Sequence, residues 1–155
     1  MAIIEKKYSV AAIIKYKDKY LFQKRDNKKG IFYPGFFGLF GGQPKKKEKP
    51  IDCMKRELKE ELSLNFQNIR FFLTTDLKSI KFKKKNSKIF KRHFFLCELP
   101  INFKKKINLK EGSSYKFINL KNINILKFAP FDLAAVFFHL LIDSKKKIVP
   151  KKNIK

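Results

Sequence analysis

Three glutamates, Glu57, Glu60 and Glu61, stand together in a chain whose formal charge is +25. On a helix, residues three and four apart are neighbours, so Glu57 sits beside both Glu60 and Glu61. Like charges so placed destabilise a helix by about 0.2–0.5 kcal/mol per pair. Something is expected to compensate, and a hard divalent cation such as Mg2+, which takes oxygen ligands, suits the need. Upstream lie Gly41 and Gly42. Glycines serve where the backbone takes unusual torsions or approaches a ligand closely. A carboxylate cluster on a rigid helix beside a glycine turn points to metal-assisted hydrolysis of a phosphoanhydride. A metal there neutralises the phosphoryl group, lowers the pKa of bound water and clamps the attacking and leaving oxygens. The bland alternative is an exposed helix whose glutamates pair with Lys55, Arg56 and Lys59. For the glutamates alone that alternative would win; the glycine pair and the spacing around it argue the other way.

The run from Gly42 to Leu64 resembles the box of the Nudix hydrolases, G-x5-E-x7-R-E-U-x-E-E-x-G-U, where U is a bulky aliphatic residue. Gly42, Glu48, Arg56-Glu57-Leu58, Glu60-Glu61 and Leu64 fall at the required places, and Ser63 stands where the second glycine belongs. The resemblance implies an α/β fold, the family's α/β/α sandwich with a mixed β-sheet. It implies water attack on a nucleoside diphosphate linked to a group X, such as a nucleotide sugar or a nucleoside triphosphate. It implies Mg2+ as cofactor, with Mn2+ as the substitute. Glu57 and Glu61 would be metal ligands, and Glu60 a third ligand or the water-activating base. Arg56 would hold a box carboxylate, the carbonyl of Gly41 would bind metal, and Glu48 would support the shell. Phe37 and Phe40 stand where the family usually has tryptophan and proline: the aromatic is kept in kind and the proline is lost. Glu111, before a strand with an aromatic centre, is the candidate for a further ligand or base, with Glu98 as its rival. The group X and the base are not legible, and a homodimer follows only as a family habit.

These residues need elements to carry them. Tyr8 to Tyr16 is β-branched and apolar and reads as a buried strand, with Tyr20 to Lys24 as its hairpin partner. Arg25 to Phe36 is a loop broken by Gly30, Pro34 and Gly35. Pro50 suits the first turn of a helix, and Ile51, Met54, Leu58 and Leu62 mark its buried side. Ser63 weakens the expected helix stop, since glycine adopts the left-handed conformation more readily. Asn68 to Leu77 and Lys88 to Leu99 read as a long hairpin around a lysine-rich loop at 81–88. His93 lies in its second strand without a Ser or Cys partner at a telling spacing. Ile101 to Lys110 reads as loop or short strand. Pro130 to Ile142 reads as a helix, apolar nearly all round and therefore expected to be buried, with His139 in its packing. One domain over residues 1–144 and a mobile basic tail over 145–155 are expected.

The charge of +25 invites a polyanion partner. Lysine is spread over the whole chain, however, among abundant isoleucine, asparagine and phenylalanine, as a composition-wide bias would produce. Nucleic acid therefore stays open as a partner without being favoured, while a positive field attracts phosphate substrates in either case. The competing reading is a non-catalytic module that binds RNA or a nucleotide through its basic surface; a third is a domain that recognises a nucleotide sugar without cleaving it. Two cysteines, Cys53 and Cys97, form no C-x-x-C motif. Neither a disulfide framework nor a zinc site is expected, and a reduced cytoplasmic setting follows. The start, MAIIEKKYSV, is charged too early for a signal peptide. The longest apolar run, Phe128 to Ile142, is interrupted by Asp132 and His139 and is shorter than the roughly 20 residues of a membrane span, so no membrane partner is expected.

Overall fold

A computed structural model describes residues 8–78 and 89–148, in which a mixed six-stranded sheet lies between helices. The expected lysine-rich loop at 81–88 lies outside the described residues. Strand β1 (Tyr8–Tyr16) is central. Its apolar residues run on without alternation because both faces are covered: Val10 through Ile14 are all buried. Strand β2 (Lys19–Lys24) returns antiparallel to β1. The other neighbour of β1 is β5 (Ile89–Cys97), parallel to it, with Val10 opposite His93 and Ala12 opposite Phe95. Strand β4 (Ile69–Lys78) forms the outer edge there, antiparallel to β5, with an irregularity between Phe71 and Leu73. Strands β3 (Phe37–Gly38) and β6 (Ser114–Ile118) both pair with β2.

Each sheet face carries its own apolar layer. On one, Val10, Ala12, Ile14, Leu21 and Phe95 pack on helix α1 (Pro50–Leu62) through Met54, Leu58 and Leu62. On the other, Ala11, Ile13, Tyr20, Phe22 and Phe94 meet helix α3 (Pro130–Ile148) through Ala135 and Val136. The arrangement is an α/β/α sandwich with a mixed sheet. Met54, Leu58 and Leu62 are completely buried. Burying each contributes roughly 1.5–3 kcal/mol, which outweighs the repulsion among the glutamates on the same helix. Helix α1 begins with Pro50 at its first turn, and Asp52 there complements the helix dipole. It ends on Ser63, which takes the left-handed conformation (φ 57°) and donates its N–H to the Lys59 carbonyl. The stop expected of glycine is thus made by serine.

Three expectations need correction. Within Ile101–Lys110 the chain forms a short helix, α2 (Phe103–Lys106), rather than a loop or strand. Phe103 is buried against the rings of Tyr16 and Phe117, and that docking sets the turn. Helix α3 runs on to Ile148, so the basic segment beginning at 145 starts as helix. Nor is α3 buried all round: Phe131, Phe137, Phe138 and Leu141 are exposed. With a sheet on one side only, a helix can bury one stripe, and Asp132, Ala135 and Val136 occupy it.

Candidate active site

The packing that seats α1 decides where its glutamates go. Glu61 neighbours Leu58 and Leu62 in the buried stripe and is itself 3% exposed. Glu57, one turn earlier, is half-buried, and Glu60 is exposed. The double glycine lies against β1, where Val10 donates its N–H to the Gly42 carbonyl (2.9 Å) and Ala12 donates to that of Phe40 (2.8 Å). Gly41 takes φ 140°, and a Cβ there would stand 2.1 Å from the Val10 carbonyl oxygen. Its N–H donates to Glu61 Oε2 at 2.7 Å. A Cβ on Gly42 would stand 2.6 Å from the Glu57 carboxyl group. Glu57 and Glu61 thus both converge on the glycine pair.

Arg56 organises the remaining carboxylates. Its guanidinium donates to both oxygens of Glu48 (2.8 Å each), to Glu57 (2.7 Å), to Glu60 (2.8 Å) and to the Gln43 carbonyl (3.0 Å). Glu48 also accepts the Lys45 N–H at 2.8 Å, which closes the basic loop. Lys45 Nζ lies 3.4 Å from Glu60, which therefore leans outward between two cations. As the side chains lie, no three acidic, histidine or cysteine groups among the described residues enclose a metal ion.

Burial and hydrogen bonding separate these carboxyls widely. Burial pushes Glu61 up to about 8, helped by the charge of Glu57 and opposed by the Gly41 N–H. Burial also raises Glu57, against the pull of Arg56. In Glu48 the Arg56 hydrogen bonds dominate and lower it to about 2. For Glu60, desolvation raises and the bonds and charges of Arg56 and Lys45 lower, and the lowering prevails. The segment therefore pushes Glu61 toward its protonated form and holds Glu48 and Glu60 toward their ionised forms.

Glu111 is exposed in a loop fastened over the end of α1, where Lys110 donates to the Glu61 carbonyl (2.8 Å) and Asn108 to that of Leu62 (3.0 Å). Its charge contributes to the upward shifts of Glu57 and Glu61. Glu98 is elsewhere, bound to Asn68 past the end of β5. His93 contacts Thr74 Oγ1 (2.6 Å) and the Tyr8 ring. His139 packs against Tyr20 and Phe72, with Tyr20 Oη at 2.8 Å from its Nδ1. Phe37 and Phe40 are core residues.

Three residues around the site were not singled out from sequence for it. Gln23, buried in β2, donates Nε2 to the Leu39 carbonyl (3.2 Å) and to Glu61 Oε1 (3.3 Å). Asp132, 4% exposed, accepts the Leu39 N–H at 2.9 Å and is paired with Arg92. The available signal was a polar residue inside an otherwise apolar strand or helix.

Comparison with known proteins bears on the family and the fold. The NUDIX domain model matches residues 5–138. The 8-oxo-dGTP diphosphatase of Buchnera aphidicola subsp. Schizaphis graminum is 33% identical over 119 residues, covering 77% of this chain and 82% of that protein. Among solved structures, the MutT NUDIX hydrolase of Burkholderia pseudomallei superposes with a TM-score of 0.70 at 16% identity, over 84% of this chain and 95% of that one. The NUDIX domain of Shewanella oneidensis NrtR, solved with ADP ribose, gives 0.67 at 16% identity, over 95% and 91%. These two structures share the fold. The match along most of the chain, together with the box residues gathered at the double glycine, means that the chain belongs to the Nudix family of hydrolases.

Proposed function

We propose that this protein is a divalent-cation-dependent pyrophosphohydrolase that cleaves the phosphoanhydride of a nucleoside triphosphate or another nucleoside diphosphate linked to X. One observation carries the reading: Glu57 and Glu61, a turn apart, both meet the double-glycine turn. The donors there fit a hard cation. They are all oxygen, and the place a Gly42 side chain would fill is taken by a carboxyl group. Mg2+ needs only one or two carboxylates when substrate phosphates and water complete its shell. Glu57, Glu61 and the Gly41 carbonyl would hold it, with Mn2+ as the alternative. A bound cation neutralises phosphate charge and lowers the pKa of the attacking water.

The chain supplies the rest. Glu60, exposed and held ionised, is the group placed to take a proton from water. Glu61 would have to give up its own proton to serve as a ligand. Arg56 keeps Glu57 and Glu60 oriented through the bonds already described, and Glu48 keeps Arg56 oriented in turn. Glu111 overhangs the same cluster as a supporting acid. The named activity of the Buchnera relative favours a purine nucleoside triphosphate, oxidised dGTP first.

The test is a nucleotide screen with Mg2+, run beside Glu61→Gln. The variant is expected to fold and to lose about a hundredfold or more in kcat; undiminished turnover would remove Glu61 from the mechanism. The charge of +25 sustains a second reading, a module that binds RNA or a nucleotide without cleaving it. Salt-sensitive RNA binding with no Mg2+-dependent turnover would select that one.

A further inference from the structure

The outer side of α3 is a row of apolar side chains. Phe131, Ala134, Phe137, Phe138 and Leu141 recur three or four residues apart, which places them on one helix face, and all are exposed. Phe138 is 51% exposed and Leu141 60%. A contiguous exposed apolar row marks an interaction surface, whereas single exposed apolar residues do not. Beside the row lies a cavity of about 430 Å3. Phe137, Leu140 and Tyr20 form its apolar part, and Lys15, Lys17 and Lys121 its cationic part. The acids that also line it are engaged: Asp143 pairs with Lys15, and Asp18 accepts from Asn119 Nδ2 at 2.6 Å. Lys17 and Lys121 are exposed. Phe137 belongs to both the row and the cavity, so the apolar and cationic groups adjoin. The helix then continues through Lys145, Lys146 and Lys147, in a chain of formal charge +25.

We propose that the outer face of α3 docks on an anionic phospholipid surface. Phe138 and Leu141 enter the boundary between headgroups and acyl chains, and Lys17 and Lys121 meet lipid phosphates. No helix among the described residues is long and apolar enough to cross a membrane, and α3 lies along the surface instead. A shallow apolar insertion and a polybasic attraction together give reversible binding that neither gives alone. Other occupants fit less well. A second copy would bring +25 against +25. A nucleic acid would meet the lysines, but its bases stack on flat rings, and Leu141, the most exposed large side chain of the row, is aliphatic. The box helix packs on the opposite sheet face, so docking through α3 does not touch it.

The experiment measures co-sedimentation with vesicles of phosphatidylcholine alone and of phosphatidylcholine mixed with phosphatidylglycerol, at low and at physiological salt. The chain has no tryptophan, so Phe138→Trp supplies a single reporter of insertion. Docking predicts binding to the mixed vesicles and not to phosphatidylcholine alone, weakened by salt, with a blue shift of the reporter's emission. Phe138→Ser with Leu141→Ser should bind about thirtyfold or more weakly. Lys17→Gln with Lys121→Gln should bind about tenfold or more weakly. Both double variants should keep the urea stability and the nucleotide turnover of the wild type, because the altered side chains are at the surface. A serine variant that binds as tightly as wild type would overturn the proposal, since net charge alone would then explain the binding. An unshifted reporter, or no binding to the mixed vesicles, would overturn it too. Light scattering on the free protein tests the second copy: a dimer that the serine variant dissolves would put another protomer on this face and overturn lipid docking. Single-stranded RNA that shifts the reporter where vesicles do not would assign the face to nucleic acid, with the same consequence. If the serine variant does not fold, the reporter and the lysine variant carry the test.

Discussion

Two adjacent glycines should fail in two different ways when each is given one methyl group. At Gly41 the added Cβ would lie 2.1 Å from the Val10 oxygen and 2.9 Å from the Ala11 Cα. Both are backbone atoms and cannot step aside. The torsion, φ 140°, is also one that side chains avoid. Relief requires lifting the turn from β1, which strains the bonds Val10 N–H to Gly42 (2.9 Å) and Ala12 N–H to Phe40 (2.8 Å). Backbone strain of about 1–3 kcal/mol and about 1 kcal/mol for each weakened bond give a loss of about 3–5 kcal/mol for Gly41→Ala. That is a large share of the roughly 5–15 kcal/mol that holds a domain folded. At Gly42 the obstacle, 2.6 Å away, is the carboxyl end of Glu57, a flexible side chain. Glu57 can swing away, so Gly42→Ala should cost less than about 1 kcal/mol of stability. Displacing that carboxyl should nevertheless lower kcat by about a hundredfold. Urea denaturation and nucleotide turnover with Mg2+, at a temperature where both variants are folded, separate the two effects. A fully active Gly42→Ala, or a Gly41→Ala no less stable than it, would refute the reasoning.

Glu61 gives the metal-free protein a pH signature. Its pKa is raised in the fold to about 8, so its contribution is complete below its unfolded value and disappears as pH rises through about 8. Thermal melts in chelator should show wild type losing more stability between about pH 5 and 9 than Glu61→Gln, whose side chain does not titrate; parallel curves would count against the buried acid. Glu48 has the opposite sign: its folded pKa is lowered to about 2, so its contribution is present at neutral pH and lost as pH falls through about 2. Ser63→Gly should stabilise the protein by up to about 1 kcal/mol, because Ser63 holds φ 57° at the end of α1; a clear loss in urea melts would show that the serine side chain does more than end the helix.

Much of the sandwich was legible because its signals are local. The apolar run of β1 and the spacing Met54-Leu58-Leu62 need no distant partner to be read. Helix α2 was not legible: Phe103 is buried by Tyr16 and Phe117, which are remote in sequence. The face of α3 was not legible either, because an apolar pattern all round gives no preferred side, and the sheet chose the stripe with Asp132. At the site, sequence presents Glu57, Glu60 and Glu61 as equivalents on neighbouring positions. The fold makes them unequal: Glu61 shares the buried stripe, Glu57 lies at its margin, and Glu60 faces Arg56 and Lys45. That difference depends on how deeply α1 is seated, which spacing alone does not state.

One compositional clue does reach the long-range network. Of the 38 basic residues, only Arg25, Arg56, Arg70 and Arg92 are arginine. In a chain so biased to lysine, an arginine marks a place where a compact, strongly hydrated ammonium would not serve. Arg56 and Arg92 occupy such places. Arg56 donates in parallel to Glu48 while reaching Glu57, Glu60 and a carbonyl. Arg92 donates to two oxygens of Asp132 and to Ser9 from within the sheet. Lysine at either position would keep the charge and lose the planar fork that spans several acceptors at once. The box therefore supplies one fork for its own carboxylates, and the strand opposite α3 supplies another for the turn those carboxylates meet. Only the first is visible in the spacing of the box; the second requires β5 and α3 to be brought together.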